Sequence, residues 1–193
     1  VVEIKRQRDN ELELIRRTGQ GDPGFDETAV STILGEDDYL KFGYDRDIAR
    51  RSFTAVQGVA EMSTAELEQR VNDYNPRPGP DFEADTRVQA AVQKEVDRVR
   101  RLRANSPDRA VLEIPEMKGI ADALAEKLDA GEATPAEMQD FVTTMLARQD
   151  DLGIVPDARA PVPREWGVAI GKQLSALPRT AVLSASQRAK MTP

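Results

Sequence analysis

Two groupings of carboxylates raise specific chemistry in this sequence. Glu36-Asp37-Asp38, with Asp45 and Asp47 downstream, offers the oxygen ligands that calcium takes. An EF-hand loop needs those ligands in a fixed order around a central Gly and a closing Glu. Gly43 and Asp45 do not supply that spacing, so these acids read as helix N-terminal residues favoured by the macrodipole. Glu165 beside Trp166 is the nearest approach to a carboxyl held in an apolar pocket, the setting that makes a glycosidase acid. One Trp, three Tyr and five Phe are scattered along the chain, too dispersed to grip a sugar. Glu165 therefore reads as a first-turn helix acid. Gly19-Gln20-Gly21 and Gly35 form no phosphate-cradling loop followed by Lys-Ser or Lys-Thr. The serines lack a base, because the chain contains no His, and it contains no Cys. The commonest general base, transition-metal ligand and thiol nucleophile are thus all missing. The sequence assigns no catalytic residue, no cofactor site and no metal ligand, and the segment reads as non-enzymatic.

Arg98, Arg100, Arg101 and Arg103 form the one basic cluster. A nucleic-acid surface wants such residues on one face with stacking aromatics. Here Glu95 and Asp97 adjoin them and no aromatic interleaves, so a solvated helix end is the expectation. The aromatics Tyr39, Phe42 and Tyr44 are expected to pack against a neighbouring helix or subunit.

The elements that must position these residues are helices. Residues 2–18 carry a narrow apolar stripe that Gly19, Gly21, Pro23 and Gly24 end. Asp26 is the expected N-cap of a short helix through Val30, Ile33 and Leu34, closed at Gly35. Residues 37–62 read as one long helix with Leu40, Tyr44, Ile48, Phe53 and Val56 recurring at helical spacing, weakened at Gly43 and Gly58, either of which is a place for a bend. Ser63-Thr64-Ala65-Glu66 and Thr134-Pro135-Ala136-Glu137 are capping boxes. Residues 81–104 make the best helix, with Phe82, Val88, Val92, Val96, Val99 and Leu102 on one face. Pro107 and Pro115 open two further helices, the second carrying Met117, Ile120, Leu124 and Leu128. A Pro-rich loop over 151–163 precedes a helix around Trp166, Ile170 and Leu174. Ser184-Ala185-Ser186-Gln187 suggests a short terminal helix, and Val182-Leu183 is too short to count as a strand.

Asn75-Pro76-Arg77-Pro78-Gly79-Pro80 is the clearest break, since three prolines cannot continue a helix. The expected organisation is all-α, an extended array or bundle of seven or eight helices in two subregions. One subregion spans 1–74, with its long helix over 37–62; the other spans 81–193; residues 75–80 form the linker. In a chain of 193 residues, 39% apolar but only 5% aromatic residues imply a lean core of Ala, Val, Leu and Ile. A net charge of -7 disfavours general affinity for nucleic acid or anionic lipid. No run reaches the roughly 18 apolar residues that a membrane span needs. The start at Val1, without Met, reads as a piece or processed product of something longer.

A resemblance adds to this. Tyr44-Asp45-Arg46-Asp47-Ile48-Ala49 is followed by Met62-Ser63-Thr64-Ala65-Glu66-Leu67, then by Tyr74-Asn75-Pro76-Arg77-Pro78-Gly79-Pro80-Asp81-Phe82. After a charged helix come Ala104-Asn105-Ser106-Pro107-Asp108-Arg109-Ala110, and later Gln149-Asp150-Asp151-Leu152-Gly153-Ile154. Over residues 37–175 this order resembles the helical region of very large bacteriophage internal virion or ejection proteins. Many of those carry a lytic transglycosylase domain elsewhere in the polypeptide. The transglycosylase motifs themselves are absent from this sequence, so the resemblance carries over no catalytic residue.

What the resemblance implies is a structural virion segment, located in the capsid interior or tail and, after ejection, in the host periplasm. It would assist genome delivery across the host envelope by helix packing and oligomeric assembly. Its partners would be copies of itself and other virion proteins of the portal, tail or ejection apparatus, with transient proximity to DNA. The alternative is a non-catalytic accessory region of a peptidoglycan-degrading virion enzyme. A third reading is a cellular helical adaptor.

Overall fold

The computed structural model describes residues 1–176, and among them every regular element is helical. Nine α-helices follow one another: α1 (Val2–Thr18), α2 (Glu27–Leu34), α3 (Glu36–Val56), α4 (Thr64–Asp73), α5 (Phe82–Asn105), α6 (Pro107–Leu112), α7 (Pro115–Ala130), α8 (Pro135–Asp151) and α9 (Gly167–Ala176). The terminal-helix expectation at Ser184–Gln187 lies outside the described residues, as does Val182-Leu183.

Local chemistry sets most of the boundaries. Asp26 accepts from the Thr28 amide at 2.9 Å and the Ala29 amide at 3.1 Å, which starts α2. Ser63 accepts from the Glu66 amide at 3.3 Å while Glu66 accepts from the Ser63 amide at 2.7 Å, so the first capping box closes. Thr134 and Glu137 repeat this at the head of α8, at 3.3 and 2.9 Å. Pro107, Pro115 and Pro135 occupy first-turn positions, where a missing amide hydrogen costs nothing. The expected helix over 37–62 is instead interrupted. It stops at Val56, Gly58 takes a left-handed φ of 72°, and a single 3-10 turn covers Val59–Glu61.

Two units result, Val1–Arg100 and Arg101–Pro193. The divide falls late in α5, not at the Pro-rich segment 75–80 where the sequence placed it. The physical reason is that residues 75–80 are a short connection with a hydrogen-bonded turn at each end and not a spacer. The Asn75 amide bonds to Asn72 O and the Phe82 amide to Gly79 O, each at 3.1 Å. The connection folds α5 back, so Val88, Val92, Val96 and Val99 share one core with Ile48, Ala55, Val59 and Leu67. A second, smaller cluster in the first unit gathers Leu12, Val30 and Phe42. Helix α3 contributes to both. Its buried residues are Phe42, Ile48, Ala49 and Ala55. Leu40 and Tyr44, expected inside, are 63% and 39% exposed, because two cores on two sides of α3 shift its buried face off a single stripe. Phe82 and Ile120 are likewise surface residues.

In the second unit α6, α7 and α8 pack with the following loop around Val111, Met117, Leu124, Phe141, Met145, Leu152 and Trp166. Met117, Ala121, Leu124 and Leu128 form the buried line of α7. The Phe141 and Trp166 rings lie 4.7 Å apart, centroid to centroid.

Candidate functional site

The most deeply buried charge in the first unit is Glu11 of α1, only 2% exposed. An uncompensated carboxylate there would cost several kcal/mol on the usual scale, roughly what an ion loses on leaving water. Two partners compensate it. The Asp22 amide donates to Oε2 at 2.7 Å, and Arg46 Nη2 of α3 lies 3.3 Å from Oε1. Arg46 also donates to Glu27 in the first turn of α2, and its guanidinium sits 5.4 Å above the Phe42 ring. The Glu11–Arg46 contact is an ion pair without hydrogen-bond alignment, so Oε1 and Arg46 Nε are left without hydrogen bonds.

The loop between α1 and α2 is built around this carboxylate. Gly19 ends α1 in the left-handed region at φ 75°, with a would-be Cβ only 2.5 Å from the Phe53 ring. Gly21 approaches Glu11 so closely that a Cβ would stand 2.1 Å from Oε1. Asp22 accepts from the Gly24 amide at 2.8 Å and turns the chain towards Asp26. Beside this brace lies an open cleft of about 510 Å³, lined by Ile4, Gln7, Asn10, Leu14, Phe25 and Ala29 together with Glu11, Asp22 and Asp26. Each of those three acids already accepts from a backbone amide of the loop or of α2. The arrangement fixes three helices relative to one another through one arginine of α3 and two carboxylates, Glu11 of α1 and Glu27 of α2.

The second unit uses buried polar groups in the same manner. Gln149 of α8 donates to Ala160 O at 2.7 Å and accepts from the Ala160 amide at 2.8 Å, so one carboxamide pairs both polar groups of a loop residue. Arg103 donates to Leu152 O at 3.0 Å, and burial pushes its pKa below the ordinary arginine value. Asp108 accepts from the Arg164 amide at 3.1 Å. All four bonds hold the segment after α8, which carries Trp166 into the core.

The residues weighed for chemistry lie apart from these groups. Glu165 is exposed while its neighbour Trp166 is buried against Phe141, so the carboxyl has no apolar pocket. Glu36 and Asp37 face solvent at the start of α3. Asp45 bonds to Arg87 at 2.9 Å, and Asp47 lies 3.9 Å from Arg51. Among the described residues no three His, Cys, Asp or Glu side chains are placed to hold a metal ion. The arginines of 98–103 diverge around α5. Arg98 bonds to Glu95, Arg100 lies 3.8 Å from Glu68, Arg101 is exposed and Arg103 is buried. Phe42 packs 5.3 Å from Phe25, and Arg87 sits 5.7 Å over Tyr44.

Glu11, Asp108 and Gln149 were not singled out as site residues in the sequence, and Arg103 was read only as part of a solvated basic cluster, whereas it is buried. One signal pointed at Glu11: a Gly-x-Gly directly after a helix that carries an acid two turns earlier marks a place where backbone must approach a side chain closely.

Among the described residues, no helix is long and apolar enough to cross a membrane. No protein-family profile, no curated protein and no solved structure matches the chain.

Proposed function

We propose that this chain is a structural segment of a bacteriophage virion protein that serves genome delivery across the host envelope. It acts by helix packing and assembly with copies of itself and with other virion proteins. The observation that carries this reading is the use made of the buried polar groups. Glu11, Arg103, Asp108 and Gln149 each bond to the backbone of a neighbouring loop, and each thereby braces helices against one another. Such braces suit a scaffold. The residue order over 37–175, with its capping box at Ser63 and its connection at 75–80, supports the phage assignment through the resemblance. Exposed apolar side chains such as Leu40 and Val168 offer contact points for assembly. With a net charge of -7, a wall built from these helices would repel the DNA backbone, so passage would need little binding energy.

Cross-linking mass spectrometry of purified particles tests the reading. The expected result is cross-links from this chain to a second copy and to other virion proteins. Absence of its peptides from the particles would overturn the proposal.

A further inference from the structure

The first unit holds two apolar clusters that share no residue. Leu12, Val30 and Phe42, with Ile4, Phe25, Leu34 and Tyr39 around them, draw on α1, α2, the intervening loop and the first half of α3. The other cluster has nine buried residues from α3, the 3-10 turn, α4 and α5, and none from α1 or α2. The smaller cluster has three buried side chains, and α1 adds the fully buried Ile15, against nine buried residues in the larger cluster, so α1 and α2 depend more on their polar ties. Those ties converge on one side chain. Arg46 of α3 pairs with Glu11 of α1 and with Glu27 of α2. The loop at 19–26 is ordered by Glu11 in turn, through the Asp22 amide and the close approach of Gly21. Proteins open in contiguous cooperative units, and units with few buried apolar contacts open first.

We propose that α1, α2 and the 19–26 loop form a separable layer that opens as one unit while α3–α5 stay folded, with the Glu11–Arg46–Glu27 triad as its latch. The latch is local and charged, whereas the core beneath it is apolar and independent. Opening would expose Phe42, Val30 and Leu12 as a new apolar surface on an otherwise intact helical unit. The layer behaves this way whatever assembly the chain belongs to, so the proposal stands apart from the virion reading.

Native-state hydrogen exchange on the full chain, in a series of low guanidinium concentrations, tests this. The expected result is that slow amides of α1 and α2 share one opening isotherm. Its denaturant slope should be shallow, and its opening constant at least ~10-fold above that of α4 and α5. Glu11→Gln removes one charge of the latch and leaves Arg46 half-compensated. It should raise the α1–α2 opening constant on the order of 100-fold, with the amides of residues 88–99 unchanged. Val30→Ala touches only the small cluster and no charge, and should raise the same isotherm alone. Two results would overturn the proposal. One is a single isotherm for α1, α2, α4 and α5 in the parent chain. The other is a uniform rise in exchange across residues 1–100 in the Val30→Ala variant.

Discussion

Gln149→Glu changes a few atoms and probes the brace that holds the loop after α8. In the parent chain the carboxamide is fully buried and pairs with both polar groups of Ala160, at 2.7 and 2.8 Å. The introduced carboxylate still accepts from the Ala160 amide. It can no longer donate to Ala160 O, and at neutral pH it sets a charged oxygen against that carbonyl. Leaving the carbonyl unpaired costs about 1–3 kcal/mol. Burying the charge would cost more, but protonation limits it. Holding an acid of ordinary pKa about 4.3 protonated at pH 7 costs at most about 3.7 kcal/mol, at 1.36 kcal/mol per unit. The variant should therefore lose about 3–4 kcal/mol at pH 7. In the folded state this carboxyl has a raised pKa, so the unfolded state binds fewer protons above about pH 4.3 and stability falls as pH rises. At pH 4 the protonated acid donates to Ala160 O again, and the deficit against the parent should shrink below ~1 kcal/mol. The assay is urea unfolding followed by the fluorescence of Trp166, the one tryptophan, which lies in the same core. At pH 7 the deficit should appear as a urea midpoint lower by about 1–4 M, for a slope of about 1–3 kcal/mol per molar. A variant as stable as the parent at pH 7, or a deficit unchanged at pH 4, would refute the reasoning.

Other expectations follow from single contacts. The Lys127 ammonium, then the Thr134 amide and hydroxyl, hold the Glu137 carboxyl at about 2 in place of its usual 4.5. Its contribution is complete above pH 4.5 and is lost as pH falls toward 2, so amide exchange in the first turn of α8 should quicken over that window. Glu137→Gln should remove this pH dependence. Gly19→Ala and Gly58→Ala both force a left-handed residue, at a cost of about 1–2 kcal/mol. Only Gly19 also has the Phe53 ring 2.5 Å from its would-be Cβ, so its variant should lose at least ~1 kcal/mol more in urea unfolding; equal losses would contradict the contact. Leu67→Ala, at a fully buried position in the larger cluster, should cost about 2–5 kcal/mol by far-UV circular dichroism in urea.

The helices were readable because their signals are local. Asp26, Ser63 and Thr134 cap by bonds spanning two or three residues, and Val88, Val92, Val96 and Val99 repeat at the helical period. The break at Gly58 was visible as a weak point, but only the packing of Val59 onto Leu67 and α5 decides that the chain bends there. The divide was misplaced because prolines announce the end of a helix without saying where the chain goes next. After 75–80 it returns to the core it had left. The buried polar groups were the least legible. Glu11 resembles the charged residues around it on α1, and its burial is decided by a loop ten residues later and an arginine on α3. Gln149 pairs with Ala160 across a proline-rich stretch in which no local pattern marks the partner.

The central claim, a structural virion segment that takes part in genome delivery, is tested most directly by quantitative mass spectrometry of purified particles before and after DNA release. The account predicts peptides from these residues at several copies per intact particle, and their loss from particles that have emptied. Peptides found in host cells but in no particle would contradict it.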